Sequence, residues 1–499
     1  PAYVADVLAT GARLRASSRW LNAISVDATR AQRRAIARLP QVQQLRRVAR
    51  GQRSTSDLLA PAPAPVAGAY LVGQAQLDRL GVPSLHECGL TGAGVVVGVQ
   101  DSGFALTHQA FAGATVLAAR DFIHDDDIVA VIATLKSEFL TQGPAITNFE
   151  AAFAEAHGVR HAVAVSNATA GLHIACLALG VGPGQRVWTS PNSFLASANC
   201  ALYCGASVDF VDIDPLTRNM SVTALSGKLA AAEATGTLPA VVIPVDFSGL
   251  PCDLAEIRAL ANRYGFKVLS DASHATGATY QGQPVGGVHA DLTVFSFHAV
   301  KIVTCAEGGM ITTQDDDLAH QLRLLRSHGL TRDPQLMQGE PDGPWYYEQV
   351  ELGFNYRMTD LQAALGLSQL KRLPAMHEAR EARAARYDQL LSGLPLKRPV
   401  RLPDRRSAWH LYVIEIDTAN TNATRASVFQ ALRKANIGVN VHYIPIHTQP
   451  YYRRLGFKVG DFPHAEHYYA HAISLPLFPS ITDEQQDRVV AVLREALGH

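Results

Sequence analysis

Six cysteines in 499 residues, with no CxxC pair, exclude a disulfide framework. Cys200 and Cys204 stand one helical turn apart, where small apolar core is expected. There is no run of about 18 apolar residues and no signal-peptide pattern, so no membrane partner and a reducing cytoplasm are expected. The nineteen histidines have no metal-ligand spacing, and no metal is expected. The formal net charge is zero, which leaves no global attraction for nucleic acid. Lysine is missing from residues 1–122, where thirteen arginines face seven acids for a net charge of about +6. A solvated basic surface is the plain reading of that block. The first residue is Pro1 and not Met, so the natural start is expected further upstream.

What is present divides into two unlike parts. The Pro/Ala-rich LLAPAPAPVAG (residues 58–68) reads as a linker. Beyond about Asp126, apolar runs of four to seven residues alternate with segments of helical period: HAVAVSN then TAGLHIACLALG, QRVWTSP then FLASANCALYCGA, PAVVIPVDF then DLAEIRALANRYG, and on through FKVLSDAS, LTVFSFH and GGMITTQ. That pattern predicts an α/β fold with a largely parallel sheet covered on both faces. After about residue 375, the helix EAREARAARYDQLLSGL, the strands HLYVIEID and IGVNVHYIP and the helix TDEQQDRVVAVLREALG predict a smaller C-terminal domain.

VFSFHAVKIVTCAEGG sets Lys301 in an otherwise apolar stretch. A lysine partly withdrawn from water has a lowered pKa and serves as a nucleophile toward carbonyls. Asp271 ends the apolar strand in FKVLSDASHATG, thirty residues before Lys301, at the carboxyl end where α/β sheets bind ligands. It would suit the charged nitrogen of a pyridine ring, or cap a helix. In AVAVSNATAGLH, the helix start after Ser166-Asn167 offers free N–H groups to a phosphate, although ordinary capping explains it equally well. Ser296 could add a hydroxyl to the same anion, and Phe194 is either a ring-stacking platform or a core aromatic.

Taken together, FLTQGPAITNFE, VSNATAGLH, DASHATGA, FSFHAVK, CAEGGM, GFNYRMTDLQAALGLSQL, HYIPIHTQPYY and SLPLFP resemble the DegT/DnrJ/EryC1/StrS sugar aminotransferases over residues 126–498. The resemblance implies a pyridoxal-phosphate-dependent transferase of the aspartate aminotransferase type (fold type I), with a large domain at 123–374 and a small one at 375–499. It implies Lys301 as Schiff-base lysine, Asp271 as partner of the pyridinium, and His274 beside the phenolate oxygen. Ala168, Thr169 and Ser296 become phosphate contacts. Asn355 would reach the phosphate from a neighbouring subunit, which makes a homodimer with a shared active site part of the expectation. Some relatives carry histidine in place of the lysine and are dehydratases; Lys301 favours transamination.

DASHA, SPNSFLASAN, LRSHG and LGFNYRMTDLQAALGLSQLKRL point within the family to the aminotransferases of pseudaminic acid biosynthesis. The implied reaction moves the amino group of L-glutamate to carbon 4 of a UDP-4-keto-6-deoxy-N-acetylhexosamine, giving the UDP-amino sugar. The substrate contacts map to Glu138, Phe139, Leu140, Thr141, Ala168, Ser296, Asn355 and Tyr443, Ile444, Pro445, Ile446; HYIPIH also reads as a plain strand and turn. CAEGG and SAWHLYVI are similar to the enzymes acting on UDP-4-keto-arabinose, which is the second reading.

The N-terminal part resembles something else. Residues 1–57 are similar to a subtilisin-like propeptide. Residues 69–122, with LTGAGVVVGVQDSGFALTHQAF, resemble the start of a subtilisin-like catalytic domain in which Asp101 holds the place of the triad aspartate. No matching histidine or serine motif follows, so proteolysis is not expected. An inactive fusion would share every site residue named above, and solubility would separate the two readings. RDFIHDD replaces the segment that carries a substrate-touching tyrosine in these aminotransferases, so cofactor binding is expected to be normal and sugar affinity weakened.

Overall fold

A computed structural model describes residues 124–499 and, nearer the N-terminus, Ala9, Thr29 and three short elements. The chain divides into two compact units, Pro1–Gln100 and Asp101–His499. In the first, β1 (Arg13–Ser18) and β2 (Ala23–Asp27) pair antiparallel, and α1 (Arg30–Ile36) follows. Thr29 and Gln32 cap that helix reciprocally: each backbone N–H donates to the other's side chain, at 2.8 and 3.3 Å. The linker at 58–68, the segment 69–122 with Asp101, and the 122/123 boundary lie outside the described residues.

Among the described residues, the second unit opens with α2 (Asp125–Leu135) and α3 (Pro144–His157). Strands and helices then alternate as β3 (His161–Val165), α4 (Ala168–Ala178), β4 (Arg186–Thr189), α5 (Ala196–Tyr203), β5 (Ser207–Phe210), α6 (Val222–Thr235), β6 (Val241–Ile243), α7 (Leu254–Tyr264) and β7 (Lys267–Asp271). A short hairpin, β8 (Thr279–Tyr280) and β9 (Gln283–Pro284), precedes β10 (Leu292–Ser296) and β11 (Gly309–Thr313). Seven of these strands form one sheet in the order β3-β11-β10-β7-β6-β4-β5. Every residue of β10 and β11 is buried, which is why those strands read as continuous and not alternating apolar runs.

All neighbours pair in parallel except β11, which runs against both β10 and β3. The carboxyl ends of β3, β7 and β10 therefore lie along one edge of the sheet. Because β11 runs back, its first residue, Gly309, returns to that same edge. This geometry assembles the site.

Beyond the sheet come α8 (Asp316–Arg326), the hairpin β12 (Leu330–Thr331) and β13 (Glu348–Gln349), α9 (Asp360–Leu370) and α10 (Leu373–Leu390). A three-stranded sheet of β14 (Leu396–Lys397), β16 (Tyr412–Ile416) and β17 (Ala472–Leu475) packs with α10, α11 (Arg425–Lys434) and α14 (Asp483–Leu497) through Tyr387, Ile414, Leu432 and Leu493. Between them lie β15 (Arg405–Arg406), which pairs with β8, and the short helices α12 (Pro450–Arg454) and α13 (Pro463–His471). The 374/375 boundary falls inside α10, whose Leu373 packs with the large-sheet core and whose Ala384 packs with the C-terminal one.

IGVNVHYIP, expected to be a strand, makes a single bridge between Asn440 and Ser474. Its following residues leave the sheet, and the Ile446 N–H donates to the Pro191 carbonyl at 2.9 Å. The chain is thus pulled toward the large domain instead of completing a ladder.

One ion pair joins the large-sheet part to β16. Arg218 donates through Nε to Glu415 Oε1 at 2.6 Å, and both residues are buried. Removing one member leaves the other charge enclosed and unpaired. Arg218→Ala is expected to destabilise the protein by about 3–5 kcal/mol, read from urea unfolding.

Candidate active site

Lys301 sits in the loop between β10 and β11. The loop is pinned by backbone bonds from Phe297 N to Gly308 O, Cys305 N to Phe297 O and Lys301 N to His298 O, all 2.8 Å. Ile302 and Val303 are buried in the core and anchor the turn, while Val300 faces solvent. Lys301 is half-buried. Burial pushes its ammonium down to about 8, against the opposing pull of the Asp271 carboxylate. The two groups that the sequence paired thirty residues apart share one electrostatic neighbourhood. His298, three positions before Lys301, is half-exposed and faces Glu307 at 3.7 Å.

Asp271 ends β7 and is buried. No helix follows it, so it is not a helix cap. Its Oδ1 accepts the Ser273 N–H at 3.1 Å, and its Oδ2 accepts the Ser197 hydroxyl at 2.6 Å. Ser193 lies 2.7 Å beyond Ser197. These bonds hold the carboxylate at the strand end.

Asn167 caps α4 by accepting the Ala170 N–H at 2.8 Å. Capping engages that one donor; the N–H groups of Ala168 and Thr169 have no partner among the described residues. Capping therefore leaves two donors free for an anion. Ser296 pairs with Gly309 across β10 and β11, and Gly309 pairs with Val165 on β3. A Cβ on Gly309 would lie 2.8 Å from Ala168 N and from Asn167 C. The second glycine of CAEGGM is thus required by the close approach of β11 to the start of α4. Gly309→Ala must push the two backbones apart, at about 1–3 kcal/mol. A lowered melting temperature, together with weaker uptake of a phosphate-bearing cofactor, is the expected measurement.

Phe194 is 58% exposed, which rules out the core-aromatic reading. Its ring lies 6.2 Å from that of Tyr443. His274 is buried; its Nδ1 accepts the Ser248 N–H at 3.2 Å, and its Nε2 lies 3.1 Å from the Tyr443 hydroxyl. Burial and the charges of Lys301 and His442 hold its imidazole well below the usual pKa.

Residues 121–494 match the DegT/DnrJ/EryC1/StrS aminotransferase family. The chain belongs to that family. It is 42% identical over 376 residues to the spore coat polysaccharide biosynthesis protein SpsC of Bacillus subtilis, covering 75% of this chain and 95% of SpsC. Helicobacter pylori PseC, an aminotransferase of pseudaminic acid biosynthesis, superposes with a TM-score of 0.69 at 30% identity, over 75% of this chain and 97% of PseC. Spr1654 of Streptococcus pneumoniae in its PLP form gives a TM-score of 0.67 at 29% identity, over 75% and 97% of the two chains. Residues 1–58 match the Peptidase S8 propeptide domain of Bacteroidota.

This sugar aminotransferase is pyridoxal-phosphate-dependent and of the α/β fold expected for it. Its residues fit the cofactor on the observed geometry. An amine of lowered pKa that feels the charge of a fixed carboxylate, two free helix N–H groups where β11 closes on α4 next to Ser296, and an exposed aromatic ring beside Tyr443 are the groups such a cofactor needs. No helix among the described residues is long and apolar enough to cross a membrane, and no metal-binding cluster occurs among them.

The remaining expected positions spread more widely. Glu138, Phe139, Leu140 and Thr141 are exposed. Their turn is tied to α9, because Asp360 accepts the N–H groups of Gly143 and Ala145 at 2.8 and 2.9 Å. Asn355 is exposed and bridges Ser327; its neighbour Tyr356 accepts the Ser166 N–H at 2.7 Å, just before the cradle. Ile444 is 48% exposed, but Pro445 and Ile446 are buried, with Ile446 in the large-domain core. Of those four, Pro445 and Ile446 are enclosed, whereas Tyr443 is partly buried and Ile444 exposed.

Sequence reasoning missed Ser197, His410 and His442. The His410 ring lies 4.5 Å from that of His274, and its pKa is held well below normal by burial and Lys301. His442, pushed down to about 4, is bonded through Nδ1 to the Ser474 hydroxyl at 2.7 Å. Nothing local marks these residues, since their partners lie tens to hundreds of positions away.

Proposed function

We propose that this aminotransferase moves the amino group of L-glutamate to carbon 4 of a UDP-4-keto-6-deoxy-N-acetylhexosamine. One observation carries the chemistry: a lysine with a depressed pKa lies within electrostatic reach of a buried carboxylate, and the sheet edge that carries the carboxylate also carries a helix N-terminus with two free N–H groups. The likeness to PseC, together with the motifs around Asp271 and Asn355, supports the choice of sugar.

When bound, pyridoxal phosphate supplies an aldehyde for amines and a ring that accepts electrons from the substrate carbon. Asp271 would hold positive charge on the ring nitrogen. Ala168, Thr169 and Ser296 would hold the phosphate, and Phe194 would cover a ring face. The Lys301 amine would serve as the base that takes the proton from the α-carbon of glutamate. A base so positioned contributes about 10²–10⁴-fold. In this reading Asn355 of a second copy completes the phosphate site, so the working unit is a homodimer, and Glu138–Thr141 with Tyr443 and Ile444 line the sugar site.

Incubation with glutamate and, in parallel, UDP-4-keto-6-deoxy-N-acetylhexosamine or UDP-4-keto-arabinose tests the assignment. An amino sugar formed only from the second substrate would overturn it. A pH prediction follows from Lys301. With its ammonium at about 8, cofactor capture by the cofactor-free protein should accelerate as pH rises through 8 and then level off. A midpoint at the ordinary 10.5 would place the reacting amine outside this site.

A further inference from the structure

His274 differs from the two histidines near it because both its ring nitrogens have protein partners. Its imidazole is neutral and so carries one hydrogen. Nδ1 accepts from the Ser248 N–H, which puts that hydrogen on Nε2. The Tyr443 oxygen, 3.1 Å away, is then the acceptor. The phenol stays protonated, since burial and the Asp271 charge both raise its pKa. Its own hydrogen finds no acceptor among the described residues. The Tyr443 ring lies 6.1 Å from the His274 ring at 25° and 6.2 Å from the Phe194 ring.

The group that sets this orientation is itself restrained. Ser248 has φ +63°, a left-handed conformation uncommon outside glycine. Its hydroxyl donates to the Leu411 carbonyl at 2.7 Å, and its carbonyl accepts the His410 N–H at 3.1 Å. The N–H aimed at His274 is thereby clasped by the segment entering β16.

We propose that His274 is a positioning residue: it turns the Tyr443 hydroxyl hydrogen into the space beside Lys301, where that hydrogen is donated to an oxygen of the bound ligand. The inference rests on the transaminase reading. Two oxygens have the required chemistry, the ring oxygen of the cofactor and an oxygen of the sugar, and the experiment separates them.

The holoenzyme is compared with Tyr443→Phe, His274→Leu, His274→Gln and the double variant Tyr443→Phe/His274→Leu. Two quantities are followed: the pH midpoint of the visible absorbance of the lysine-bound cofactor, and KM and kcat for the keto sugar. Loss of a hydrogen bond to the cofactor oxygen moves the midpoint by about one unit; loss of one to the sugar raises KM by about 3–10-fold with kcat nearly unchanged. Tyr443→Phe is expected to move one of the two. His274→Leu should move the same one, the double variant should be no worse than Tyr443→Phe, and His274→Gln, which keeps an N–H donor, should recover most of the loss. The proposal fails if Tyr443→Phe moves neither quantity, or if the effect of His274→Leu adds to it. A protein that takes up no cofactor at all sinks the transaminase reading instead, and this is visible before either measurement.

Discussion

Lys301→Ala should bind pyridoxal phosphate without any borohydride-stable attachment and lose turnover by at least the 10²–10⁴-fold that a positioned base contributes. The loss is chemical, because the loop is anchored by Ile302 and Val303 and closed by backbone bonds that do not involve the amine. The linkage sign makes the same point. The folded-state pKa of about 8 lies below the ordinary 10.5, so between these values the unfolded chain binds more protons than the folded one. Stability of the cofactor-free protein therefore rises with pH across that window, and the burden of the buried ammonium is complete below pH 8. Lys301→Ala removes this slope and should be at least as resistant to urea at pH 7. Borohydride attachment persisting in the variant would assign the amine to another lysine.

Asp271→Asn is expected to reduce kcat by about 10²–10³-fold while the cofactor still binds, since shape is kept and only charge at the ring nitrogen is lost. The substituted side chain would meet the same neighbours, the Ser273 N–H and the Ser197 hydroxyl, but with a neutral oxygen or an amide turned toward them. Asp271→Ala should be worse, because it also leaves the Ser197 hydroxyl without its acceptor. Ser197→Ala removes one orienting bond and leaves the charge, so its loss should be confined to about 3–10-fold. Single-turnover reaction with glutamate, followed by the change in visible absorbance, separates these steps from cofactor binding. An Asp271→Asn enzyme with normal turnover would end the assignment of this carboxylate.

Much of the site was legible because its members sit at element ends that local patterns mark. Asp271 and Ser296 close apolar strands, and Ala168 and Thr169 open a helix behind a capping asparagine. Gly309 was visible as half of a glycine pair, but its reason was not; only the packing of β11 against the start of α4 shows that a Cβ has no room. The direction of β11 was equally hidden, since a fully buried antiparallel strand has the same apolar run as a parallel one. IGVNVHYIP read as a strand because Val439, Val441 and Tyr443 alternate with Asn440 and His442. Pairing with the C-terminal sheet yields there to contacts with His274 and Pro191, which no local pattern contains.

By itself the sequence determined the alternation of strands and helices, the family and the cofactor, since each depends on residue types at short range or at motif spacing, and it nominated Lys301 as the reacting amine. The tertiary structure alone decided which hydrogens and charges meet: the serine that steadies Asp271, the histidines held neutral around Lys301, and the tyrosine that His274 addresses. Hydrogen bonds and desolvation act over a few ångströms of space, and these partners are 26 to 169 positions apart in the chain.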